Sequence, residues 1–214
     1  MPLHFIQEWE PVRASWFELD GLTTGNPSSE LDRWIDEQLA AARIATATSE
    51  WNDRREAVRG MLRAGGYKPS GRNKPAQEYL LRCLTENNFP RIHPAVDCLN
   101  ALSVRIGLPI SMLTRDRFEN ALKLRLGRPG ESYVFNASGQ SLDLENLIVA
   151  CGGRDADEPL GSPVKDSMAG KISATVPSIV CILYAPVNDV SPTQLADWSA
   201  ELQRNIERFA TSSC

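Results

Sequence analysis

The spacing of apolar residues changes once along this chain, and that change restricts the fold more than any other feature. After one strand-like stretch at 13–22, apolar residues recur at helical spacing up to residue 106, and beyond residue 121 they alternate. Ser28 and Ser29 offer an N-cap for a helix running to about residue 43, with Leu31, Trp34, Ile35 and Leu39 on one face. A second helix spans 49–63, carries Trp51, Val58, Met61 and Leu62 inward, and stops at Gly65-Gly66. Pro75 opens a third helix, with Tyr79, Leu80, Cys83 and Leu84 inward, and Pro94 opens a fourth, with the stripe Val96, Leu99, Leu102 and Ile106. Gly107 and Pro109 end the fourth.

Leu122, Leu124 and Leu126 then alternate with Lys123 and Arg125, and Arg128-Pro129-Gly130 turns into 131–135, which reads as a hairpin. Short strands follow at 140–143 and 147–151, then a polar loop at 152–171, an apolar central strand at 179–185, and a last helix from Ser191-Pro192 to about residue 209. Helices first and clustered strands afterwards predict an α+β fold, with helices flanking a mixed, mostly antiparallel sheet. We read 1–214 as one domain: an N-terminal strand and helices (1–66), a core (67–190) and a C-terminal helix (191–214).

Composition narrows the class. With 214 residues, 42 % hydrophobic and 23 % charged, the chain matches one soluble globular domain and excludes a disordered or collagen-like one. No segment reaches the roughly 18 apolar residues of a membrane helix, and Met1-Pro2-Leu3-His4 does not resemble a secretory leader, so a cytoplasmic protein with no membrane partner is expected. The five cysteines are odd in number and contain no C-x-x-C, which predicts buried thiols rather than disulfides or a zinc site; no metal or cofactor is called for. A net charge of −4 argues against binding nucleic acid, DNA included, by overall electrostatics. The charge is segregated, however: residues 1–53 carry three basic and ten acidic side chains, whereas 54–74 carry seven basic ones against Glu56. Within that run Arg55, Arg59, Arg63, Lys68, Arg72 and Lys74 form either a solvated face or a phosphate-contacting patch whose binding would weaken steeply with salt.

No nucleophile elbow, P-loop, zinc-protease helix or dinucleotide fingerprint is present. His4 is expected in a mobile terminus. His93, Asp97 and Asn100 fall at i, i+4 and i+7 on one face of the fourth helix. His93 either caps that helix, covers a neighbouring chain or faces a ligand. Asp97 and Asn100 disfavour a helix interior and need partners if buried, so they either tie the helix to adjacent backbone or recognise a ligand. The loop 152–171 gathers Arg154, Asp155, Asp157, Glu158, Ser162, Lys165, Asp166, Ser167 and Lys171, so a site is expected between the fourth helix and this loop.

The stretch 73–112, NKPAQEYLLRCLTENNFPRIHPAVDCLNALSVRIGLPISM, adds a further reading. Together with Leu124-Arg125-Leu126, Gly130-Glu131 and the segment SPVKDS at 162–167, it resembles the tRNA-editing module of the phenylalanyl-tRNA synthetase beta subunit, the B-three/B-four domain, and especially its freestanding relatives. The similarity runs in consistent order over about residues 50–190. It implies a mixed α/β editing fold with a pocket that hydrolyses the ester of a wrongly attached amino acid. In that resemblance Asn100 matches a pocket asparagine, Glu158 the pocket glutamate and Thr175 a downstream threonine. Where the synthetase module has a histidine and, three residues on, an aspartate, this chain has Ser111 and Thr114, and a serine cannot exchange a proton near neutral pH as imidazole does. The departure bears on both amino-acid specificity and mechanism.

The resemblance therefore implies a trans-acting aminoacyl-tRNA deacylase with tRNA as partner, and no aminoacylation, since the synthetase core is lacking. Glu158, Asn100 and Ser111 would be catalytic: Asn100 and Ser111 orient the ester and Glu158 grips the ammonium group or orders a water. His93, Asp97, Ser162, Lys165, Asp166 and Thr175 would bind substrate. A non-catalytic tRNA- or amino-acid-binding module, and a protein-interaction domain reusing the fold, are the alternatives.

Overall fold

A computed structural model describes residues 2–23, 28–173 and 177–211. The chain opens with two strands, β1 (His4–Gln7) and β2 (Val12–Asp20), followed by four helices: α1 (Ser29–Ala45), α2 (Ser49–Ala64), α3 (Ala76–Thr85) and α4 (Pro94–Ile106). Seven strands come next, β3 (Ile110–Thr114), β4 (Ala121–Leu126), β5 (Ser132–Val134), β6 (Ser141–Asp143), β7 (Ile148–Gly152), β8 (Glu158–Gly161) and β9 (Ser178–Pro186), and α5 (Pro192–Ala210) closes the chain. This is an α+β architecture in which α5 packs on β2 and α4. Among the described residues, no helix is long and apolar enough to cross a membrane.

Local chemistry sets the helix ends. The side chains of Ser28, Thr48 and Ser191 accept the N–H of Leu31, Trp51 and Gln194 and so start α1, α2 and α5. Gly107 ends α4 with φ +73°, and a Cβ there would approach the Trp51 indole to 3.1 Å, so both conformation and space favour glycine. That indole donates to the Val104 carbonyl at 3.1 Å, binding α2 to the end of α4. Helix α4 is buried on nearly every side by α1, α3 and α5.

The strands form three sheets. β1, β4, β7 and β8 make a mixed sheet in that order, with β1 parallel to β4 and the other pairs antiparallel. β2, β9 and β3 form an antiparallel sheet, with Phe17 opposite Cys181 and Met112 opposite the same residue on the other side. β5 and β6 form a ribbon. β9 is the centre of the core, with Ile179 to Ala185 wholly inaccessible; replacing a side chain such as Ile182 with alanine would cost about 3 kcal/mol.

Several expectations need correction. His4 belongs to β1, paired with Ala121, and not to a mobile terminus. The stretch 131–135 does not pair back on 122–126, because β1 and β7 already occupy both edges of β4; β5 pairs with β6 instead. β3 was not visible as a strand because its five residues are all buried and show no alternation. The polar loop at 152–171 contains β8, so the true loop is shorter. Cys83, Cys98, Cys151 and Cys181 are buried free thiols, and Cys214 lies outside the described residues.

Candidate functional site

Several parts of the chain converge on a cavity of about 1040 Å³: the exposed side of α2, α3 with the turns on either side of it, one face of α4, β3, the turn after β5 and the loop after β8. Helix α4 contributes Val96, Leu99, Asn100 and Ser103, at spacings that place them on one helical face. Asn100 is half-buried, and its amide has no hydrogen-bond partner among the described residues. A mid-helix asparagine that neither caps nor back-bonds leaves a donor and an acceptor available to a ligand.

The other two polar residues of that helix serve its own folding. His93 is the N-cap: its Nδ1 accepts the Ala95 N–H at 3.2 Å, and burial pushes the imidazole pKa down. Asp97 turns back on the preceding chain, accepting the Ile92 N–H at 2.7 Å and pairing with Arg91 Nε at 3.1 Å. The i, i+4, i+7 spacing therefore does not build a single site: two of its members are used to start the helix, and only Asn100 lines the cavity.

The loop after β8 is fixed at several points. The Ala76 N–H donates to the Pro163 carbonyl, Ser167 N–H to Leu160, Met168 N–H to Val134, and Thr114 N–H to Gly170. Ser162 Oγ accepts the N–H groups of Val164 and Lys165 and the Tyr133 hydroxyl, the last at 2.9 Å, so its hydroxyl is committed to the turn. Asp166 takes the edge of β3: Oδ1 accepts Ser111 Oγ at 2.6 Å and the Ser162 N–H at 3.3 Å. Gly161 permits this approach, since a Cβ there would lie 2.7 Å from Asp166 Oδ1. Burial raises the Asp166 pKa to about 6 against the opposing hydrogen bonds of Ser111 and Ser162. Ser111 is fully buried behind the carboxylate, where its Oγ also accepts the Tyr184 hydroxyl at 3.1 Å.

Lys165 lines the cavity with its ammonium over the Phe135 ring, 4.1 Å from the centroid, and donates to the Arg72 carbonyl at 2.8 Å. Burial pushes its pKa down, with Arg72 and Lys171 adding to the effect. Seven basic side chains line the cavity against two acidic ones, in a chain whose overall charge is −4. Arg59 is already neutralised by a two-pronged pair with Glu78 at 2.6 and 2.7 Å. Arg72 and Lys74 have no acidic partner among the described residues, and Arg55 reaches no acid closer than Glu56, at 3.9 Å, while its buried Nε lacks an acceptor.

Of the residues singled out from sequence, the cavity thus gathers Asn100, Ser162, Lys165, Asp166, Arg55, Arg59, Arg72 and Lys74. Arg63 and Lys68 are exposed and do not line it. Glu158 also lies elsewhere, at the start of β8, where it pairs with Arg117 on the surface. Thr175 lies outside the described residues. Ile92, Tyr79 and Phe135 line the cavity without having been singled out; Tyr79 was assigned inward on α3 from helical spacing, yet it is exposed. No group of three or more metal-binding side chains is assembled among the described residues.

Fold and site together define an α+β protein with a broad cationic cleft whose wall holds the Asp166 carboxyl, the Glu78 carboxylate paired with Arg59, and the free Asn100 amide. No protein-family model and no curated protein matches the sequence.

Proposed function

We propose that the chain is a trans-acting aminoacyl-tRNA deacylase, which hydrolyses the ester between an amino acid and the terminal ribose of a mischarged tRNA. One observation carries this reading: the unpartnered amide of Asn100 and the carboxyl of Asp166 share a cavity with Arg55, Arg72 and Lys74, cations that lack close acidic partners. The cations suit the phosphates of an acceptor end, and the volume suits an aminoacyl nucleoside. The apolar wall of Val96, Leu99 and Met112 suits the amino-acid side chain.

In this reading Asp166 takes the role first assigned to Glu158, which is remote from the cavity. A water oxygen attacks the ester carbonyl carbon as its proton passes to the Asp166 carboxylate, and the Asn100 amide N–H donates to the developing oxyanion. The intermediate collapses with cleavage of the bond to the ribose oxygen, which recovers the proton from Asp166, and free amino acid and tRNA leave. Ser111 positions Asp166 and does not meet the substrate. No side-chain nucleophile takes part, consistent with the engagement of both the Ser111 and Ser162 hydroxyls in internal hydrogen bonds.

A panel of mischarged tRNAs, incubated with wild type and with Asn100→Ala, tests this. Wild type should release at least one amino acid well above the spontaneous rate, and Asn100→Ala should not. Release at background rate from every substrate removes the enzyme; if salt-sensitive tRNA binding persists in that case, the cavity belongs to a binding module.

A further inference from the structure

Six large apolar side chains are exposed among the described residues, and two of them, Tyr79 at 55 % and Ile92 at 71 %, line the cavity. Exposure of this kind is ordinary for isolated residues but not for an aromatic ring in the wall of a cleft. Arg82, three residues further along α3, sets its guanidinium 5.3 Å from the ring centroid. The same cleft contains Arg72 and Lys74, which have no acidic partner among the described residues. An exposed aromatic face and unneutralised cations in one cleft match a ligand that has both a flat π-surface and a negative charge, which is the chemistry of a nucleotide. An acidic peptide would satisfy the cations and leave Tyr79 exposed; an apolar peptide would do the reverse.

We propose that Tyr79 is the stacking shelf for a nucleobase whose phosphate is bound by Arg72 and Lys74, with Ile92 contributing an apolar contact. The inference rests on the deacylase reading only in using the same cavity, and it names the part of the ligand that the ester chemistry does not touch.

The test titrates adenosine 5′-monophosphate and ribose 5-phosphate into wild type, Tyr79→Phe, Tyr79→Leu and Tyr79→Trp, alongside a double Arg72→Ala, Lys74→Ala variant. Wild type and Tyr79→Phe should bind the nucleotide alike and more tightly than the base-free sugar phosphate. Tyr79→Leu keeps an apolar side chain but no π-face and should lose about fivefold or more in nucleotide affinity, with ribose 5-phosphate unaffected. The emission that Tyr79→Trp adds over wild type should be quenched by the nucleotide and not by the sugar phosphate. The double variant should weaken both ligands. Equal affinity of wild type for the two ligands, unchanged nucleotide binding by Tyr79→Leu, or no binding of the nucleotide at all overturns the shelf. Because Tyr79 takes no part in the ester hydrolysis assigned to Asn100 and Asp166, deacylation measured in parallel separates the two claims: a deacylase without a Tyr79 effect lacks the shelf, and Tyr79-dependent binding without deacylation retains it.

Discussion

Arg125 on β4 and Arg72 before α3 carry the same guanidinium in opposite circumstances. Arg125 is 3 % exposed and donates to both carboxylate oxygens of Glu131, at 2.7 and 2.8 Å, and to Asp157 at 3.1 Å; Arg128 adds a second pair to Asp157. Arg72 is exposed in the cavity wall with no ion-pair partner among the described residues. The first cluster joins β4 to the turn before β5 and to the loop before β8, and its charges answer one another within the fold. The second leaves charge unanswered where a ligand can reach it. The sign of a side chain therefore says less about binding than whether the fold has already neutralised it, and the consequences differ in kind.

Breaking the buried cluster should give the largest effect. Arg125→Met leaves Glu131 without its main partner and Asp157 with Arg128 alone, and should cost about 3 kcal/mol, measured by urea unfolding. Full retention of stability would show that the cluster is no more structural than the cavity wall. Next, Asn100→Ala should lower deacylation about a hundredfold while shifting stability by less than about 0.5 kcal/mol, since its amide holds nothing within the protein. A comparable loss of stability would place Asn100 with Arg125 instead. The double Arg72→Ala, Lys74→Ala variant should fold as wild type, bind tRNA about tenfold more weakly, and reduce the slope of log affinity against log salt by about 2. An unchanged slope would mean that these cations do not meet phosphate.

Changes in pH act on the two regions with opposite signs. The Arg125 guanidinium holds Glu131 below its ordinary pKa, and Arg128 does the same for Asp157, so the stability they contribute is present above the ordinary carboxylate range and is lost as pH falls through their lowered values. Burial raises Asp166 to about 6, so its contribution is fullest below about pH 4 and is lost as pH rises through 6. Thermal melts of wild type and Asp166→Asn should diverge between those two values, with wild type losing stability relative to the variant as pH rises. Parallel melting curves would mean that the carboxyl is not desolvated. The deacylation rate should rise through the same interval in wild type and lose that rise in Asp166→Asn.

The boundaries of α4 were legible because Pro94 and Gly107 act through their own backbone geometry, whatever surrounds them. The strand character of 121–126 was legible too, but its partner was not: alternation of Leu122, Leu124 and Leu126 does not reveal which edge is already filled. The spacing of His93, Asp97 and Asn100 gives one polar face with capping, backbone ties and ligand recognition all open to its members, and only the fold shows that Asp97 turns back to the Ile92 and His93 amides while Asn100 does not. Glu158 and Asp166 are eight residues apart in a stretch that reads from sequence as one polar loop, and only the tertiary structure puts Glu158 in β8 and the clasp of Asp166 on the edge of β3.

What the amino-acid order determined by itself is what nearest neighbours decide: helix starts at serine and proline, stops at glycine, the apolar stripes, and the α+β succession of elements. The tertiary structure alone decided which strands share an edge, which arginines find a carboxylate, and which polar groups are left over to line a cavity. The reason is range. Capping and periodicity act over a few residues of chain, whereas the pairing of Arg125 with Asp157, or the meeting of Asn100 with Asp166 in one cleft, requires segments far apart in sequence to be packed together before their charges and hydrogen bonds can be counted.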